Sequence, residues 1–72
     1  MKLAEVKAGR EVKVVEIYGG FGIRRKLASV GIFPGAKVKV VKNPPGPVIV
    51  ETSGTRFAIG MGMARKIEVE LE

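Results

Sequence analysis

The sequence has 72 residues, of which 46% are hydrophobic and 28% charged, with a net charge of +6. That is one small folded domain, too short for a catalytic domain plus a regulatory one and too apolar for a disordered chain. It holds no Cys and no His, which excludes a disulfide framework, a zinc site of the usual ligands and a Cys- or His-based catalytic centre.

Glycine and proline cut the chain into short pieces. Residues 3–9 form a short lead-in that ends in a turn. Residues 10–18 are rich in Val and Ile and read as a first strand. Its alternation slips, because Val12 and Val14 share one face while Val15 and Ile17 share the other. A bulge near Val15-Glu16 brings Ile17 back to the core side. After Gly19-Gly20-Phe21-Gly22, the residues Ile23, Leu27 and Val30 recur at i, i+4 and i+7, which is one helical face. Gly31 suits the left-handed position just past the helix end, and Ile32 supplies the apolar residue after it. Phe33-Pro34-Gly35-Ala36 has the Pro and Gly of a type II turn.

Residues 37–41 alternate as a half-buried strand with Lys37 and Lys39 toward solvent. The proline-rich residues 43–47 cannot continue a sheet and form a loop. Val48-Ile49-Val50-Glu51 is a third strand, Ser53-Gly54 a two-residue hairpin turn, and residues 55–59 a fourth strand. Gly60-Met61-Gly62-Met63-Ala64 is a break with a single helical turn, and Ile67, Val69 and Leu71 alternate with glutamates in a last strand. The class is mainly β: a small five-stranded SH3-like or OB-like barrel, with one short helix inserted after the first strand. Closing the sheet would protect its edges. Val12, Val14, Ile17, Leu27, Val30, Val38, Val40, Val48, Val50 and Ile67 are assigned to the core.

The charge balance favours an anionic partner. All seven acidic residues are Glu, against eight Lys and five Arg. The longest uncharged stretch, residues 27–36, is far short of a membrane span, and the first residues lack the long apolar core of a signal peptide. A cytoplasmic protein without membrane insertion is expected. Glu68, Glu70 and Glu72 share one strand face, which reads as a solvated edge rather than a metal site. Met61 and Met63 read as cap packing rather than soft metal ligands. Gly20-Phe21-Gly22 precedes a helix as phosphate loops do, but lacks the rest of either phosphate-binding pattern and reads as a turn. No cofactor, metal or catalytic residue is expected.

Arg24-Arg25-Lys26 is the densest basic run. With Phe21 beside it and Tyr18 on the preceding strand, it has the residue types of binding hot spots. Lys37, Lys39 and Lys42 form a secondary basic surface, the feature that a nucleic-acid-binding barrel would use. Such a binder needs exposed aromatic platforms, and three of the four aromatic residues look useful to the core. Self-association through strand edges is a third reading.

The run Leu27-Ala28-Ser29-Val30-Gly31-Ile32-Phe33-Pro34-Gly35 resembles the helix-end and turn signature of the FeoA family. Gly46-Pro47-Val48 with Val50, then Gly54, Arg56, Ala58 and Ile59, then Ala64, Ile67 and Val69, are similar to that family's second half. The resemblance covers nearly the whole chain as one domain, residues 1–72. It implies an SH3-like barrel with an inserted helix, and a non-enzymatic cytosolic accessory of FeoB, the membrane transporter for ferrous iron. Related domains end iron-dependent repressors, so an interaction domain of that kind is an alternative. The chain departs from the family at Gly60-Met61-Gly62-Met63, where many members carry charge. Tyr18, Phe21, Arg24, Arg25 and Ala28 form the expected partner-binding set, with the cytosolic region of a FeoB-type transporter as the partner.

Overall fold

The computed structural model describes residues 1–43 and 45–72; Pro44, within the expected loop at 43–47, lies outside the described residues. A 3-10 turn at Leu3–Glu5 precedes β1 (Glu11–Ile17), α1 (Phe21–Ser29), β2 (Lys37–Lys42), β3 (Val48–Thr52), β4 (Thr55–Ile59), α2 (Met61–Ala64) and β5 (Ile67–Leu71). The strands are antiparallel in the order β4-β3-β2-β1-β5.

The bulge in β1 is where the pattern slips. Val14 pairs with Val69 and Glu16 with Glu68, which leaves Val15 as the extra residue. Val12, Val14 and Ile17 all reach the core as a result. A second register shift lies between Val40 and Lys42. Each bulge adds bend and twist, and together they curl the sheet around one apolar interior.

The curl stops short of closure. β4 and β5 remain the two edges, with no ladder between them among the described residues. The expected mainly β architecture of five strands with a helix after the first is as read from the sequence, and only closure is corrected: the sheet is curled and open. The physical reason is α2, which connects β4 to β5 and buries Ala64 completely. A helical turn fills the seam that a β4–β5 ladder would have zipped.

The core contains nine of the ten residues assigned to it. The exception is Val30, half-buried at the helix end and packed against the others. Leu3, Val6, Ile32, Ile59, Ala64 and Val69 complete the interior. The aromatic expectation is corrected more strongly, because Phe21 and Phe33 stand exposed and Phe57 is half-buried. Valines and isoleucines of the sheet's inner face fill so thin a core without them. The lead-in is anchored by Asn43, whose side-chain Nδ2 donates to the carbonyls of Ala4 (3.1 Å) and Val6 (2.7 Å).

Candidate protein-docking site

α1 is a weak helix by composition. Its N-cap is Gly20 with no side-chain cap, Gly22 sits in its first turn, and that turn has no acidic residue. Its C-terminus is well made: the Ile32 N–H donates to the Leu27 carbonyl at 2.9 Å, and the Gly31 N–H to Ala28 at 3.1 Å. Those are the two bonds of a Schellman motif, with Gly31 at φ +90°. Tertiary packing holds the helix through Leu27, its one buried residue, with Ile23 and Val30 half-buried.

That packing turns Phe21, Arg24, Arg25 and Ala28 outward. They fall at i, i+3, i+4 and i+7, and all four are exposed. Phe21 is 73% accessible, with the Arg25 guanidinium 4.8 Å from its ring centroid. Leaving a phenyl ring in water forgoes about 1.5–3 kcal/mol of burial, so this face has unspent apolar surface. Arg24 is not free in the same way: its Nη2 pairs with Glu16 Oε1 of β1 at 3.1 Å. The same carboxylate oxygen accepts from the Ile17 N–H at 2.9 Å. Arg24 therefore ties the helix to the sheet, and Gly20 and Gly22 form only the helix's first turn.

Tyr18 is also exposed, but in another cluster. Lys2 Nζ lies 4.3 Å from its ring centroid and 3.1 Å from Glu68 Oε1. The Met1 ammonium donates to Glu68 Oε2 at 2.7 Å. This bond, then the one from Lys2, holds the Glu68 carboxyl below its usual value. Glu16 and Glu68 are register partners across β1 and β5, so the Arg24 and Tyr18 clusters adjoin there. Sequence reasoning missed Glu16 and Lys2 and read Glu68 only as part of a solvated edge, because pairing across 8 to 67 positions leaves no local signal.

The secondary basic surface is interleaved with acid. Across the sheet, Arg56, Glu51, Lys39 and Glu11 are successive register neighbours on four strands, alternating in sign. Arg56 Nε pairs with Glu51 Oε2 at 3.2 Å, and Lys37 Nζ lies 3.6 Å from Glu72 Oε1. Lys42 is exposed at the end of β2. Glu68 and Glu72 thus answer cations, and Glu70 faces Lys13 in register. Among the described residues, no three His, Cys, Asp or Glu side chains gather to hold a metal ion. Met61 and Met63 pack against the core, and among the described residues no helix is long and apolar enough to cross a membrane.

The FeoA domain matches residues 1–71. A Methanocaldococcus jannaschii protein provisionally named Fe(2+) transport protein A is 50% identical over 68 residues, covering 94% of this chain and 83% of its own length. A crystal structure of an iron uptake regulatory protein, FeoA, superposes with a TM-score of 0.93 at 41% identity, covering 100% of this chain and 97% of the other. Stenotrophomonas maltophilia FeoA, solved with zinc and described as a prokaryotic SH3 domain protein, has a TM-score of 0.83 at 28% identity over 97% of this chain and 89% of its own. The manganese regulator SloR shares the fold alone, with a TM-score of 0.87 at 14% identity over 100% of this chain and 34% of that one. From the helix-end motif and the β-sheet order to the match along almost its full length, the chain belongs to the FeoA domain family.

Proposed function

We propose that this chain is a non-enzymatic cytosolic accessory of ferrous iron transport that docks on the cytosolic region of a FeoB-type transporter through the outward face of α1. The observation that carries the reading is Phe21, exposed and flanked by Arg25. Aromatic residues and Arg are the types that dominate binding energy at interfaces. The family and the name of the M. jannaschii relative support the transport role. Docking regulates without catalysis if the chain binds one transporter state better than another, since only a differential affinity shifts a population. The acid-interleaved lysine strand weighs against the nucleic-acid reading, because the neighbouring glutamates lower the positive charge that a phosphate backbone would meet.

The test is an NMR titration of labelled protein with the transporter's cytosolic region at physiological salt, with random duplex DNA as the parallel ligand. Shifts at residues 21–28 with the transporter alone are expected. Phe21→Ala combined with Arg25→Glu should weaken that binding by about 2 kcal/mol or more. Folding stability should move by no more than about 0.5 kcal/mol, because both side chains are on the surface. Shifts with DNA alone, along residues 37–42, overturn the reading.

A further inference from the structure

The two edges of the sheet are treated differently. The β5 edge is covered by the chain's own beginning, since Lys2 bridges to Glu68 and the Val69 N–H donates to the Met1 carbonyl at 2.8 Å. The β4 edge has no such cover among the described residues. β3 and β4 are joined by the two-residue turn Ser53-Gly54, with Thr52 opposite Thr55. In such a hairpin the flanking pair is hydrogen-bonded, and pairs alternate from there. Thr55, Phe57 and Ile59 therefore spend their backbone groups on β3, while those of Arg56 and Ala58 point outward.

Beside that edge runs a groove of about 240 Å³ between α1 and β4. Leu27 and Val30 form its helix wall, Phe57 and Ile59 its strand wall, and Met63 one end. Lys26 stands on the helix rim and takes part in none of the ion pairs among the described residues. This wall of α1 is opposite the Phe21 and Arg25 face, so the site is separate from the docking face proposed above.

We infer that the β4 edge and its groove bind an extended segment of another protein, in which apolar residues alternate with acidic ones, as an added strand. Strand addition takes affinity from main-chain hydrogen bonds and specificity from pockets for alternate side chains. Here the outward Arg56 and Ala58 backbone groups supply the bonds. The groove takes the apolar side chains; Arg56, on the other face of β4 and also paired with Glu51, meets the acidic ones, and Lys26 on the rim adds positive charge beside them. A second copy of this chain fits less well through its own β4. That strand, Thr55-Arg56-Phe57-Ala58-Ile59, carries no acid and brings another +6 of charge to the contact.

The probe is a capped peptide, Glu-Val-Glu-Ile-Glu-Val-Glu, added to labelled full-length protein. Expected are slowed hydrogen exchange at the Arg56 and Ala58 amides, shifts at residues 26–30 and 57–59, and no change at Phe21 or Arg25. A peptide with Pro for its central Ile should bind at least about tenfold more weakly, because Pro removes a ladder donor. Lys26→Glu, a surface change that leaves the fold intact, should weaken binding roughly two- to fivefold, as expected for an exposed charge pair. Ala58→Pro places the ring on the free edge, where Pro is tolerated, and should abolish binding. No binding at millimolar peptide overturns the inference, as does equal binding of the Lys-for-Glu peptide. Protection of the same amides with increasing protein concentration and no peptide also overturns it, in favour of a second copy. The transporter titration reads a different face, so either proposal can fail alone.

Discussion

Glu68 shows how much one side chain can gather in a chain this small. Its two oxygens take the Met1 ammonium and the Lys2 ammonium separately. Folding therefore favours the charged form, and its pKa falls first through the Met1 bond and then through Lys2. With the folded-state value below the unfolded one, the contribution is present above the unfolded value and fades as pH falls through the folded one. A carboxyl-detected NMR titration should find Glu68 protonating below the usual glutamate range, and Lys2→Ala should move its midpoint upward. An unmoved midpoint would mean that the lysine contact does not persist in solution. Asn43 is the other residue whose importance no local pattern announces. It stands at the start of a proline-rich run and reads as loop, yet it binds the carbonyls of Ala4 and Val6 from 39 and 37 positions away.

Elements were legible where backbone conformation restricts the residue. The Gly31 helix end, the Phe33-to-Ala36 turn with Gly35 at φ +98°, and the Ser53-Gly54 hairpin all demand positive φ, and each was marked by Gly. The β1 bulge was legible because a strand whose apolar residues change face midway must carry an extra residue to keep them all inside. The unclosed seam was not, since strand count and length do not say whether the edges meet, and α2 settles it. On the candidate site, the helical spacing of Phe21, Arg24, Arg25 and Ala28 was in the sequence, but the Arg24–Glu16 ion pair was not. Gly31 offers a clean test of the helix end. A Cβ there would lie 3.6 Å from Thr52 Cγ2, an ordinary contact, so the cost of Gly31→Ala is conformational. It should be about 1–2 kcal/mol, read as a shift in the urea midpoint with an unchanged slope. A near-zero effect would mean that the Schellman turn relaxes without cost.

For the whole molecule, thirteen cations face seven anions. Five ion pairs are formed among the described residues, all at accessible positions. Surface pairs are worth about 0–1 kcal/mol each, while the surplus of like charge repels across the entire small body. Raising salt from about 0.01 to 0.15 M shortens the screening length from about 30 to 8 Å and weakens both. Repulsion extends over the molecule and the pairs are local, so the melting temperature should rise with salt. A fall, measured by circular dichroism, would show the ion pairs outweighing the repulsion.

The unequal edges also set a valence. A sheet with two open edges can polymerise, because each added strand presents a new edge to the next arrival. In this molecule the Met1–Lys2 segment occupies one side, which leaves a single place where a strand can join. A row of paired strands could therefore grow from one side only, so under the strand-addition proposal the protein would end such a row rather than sit within it.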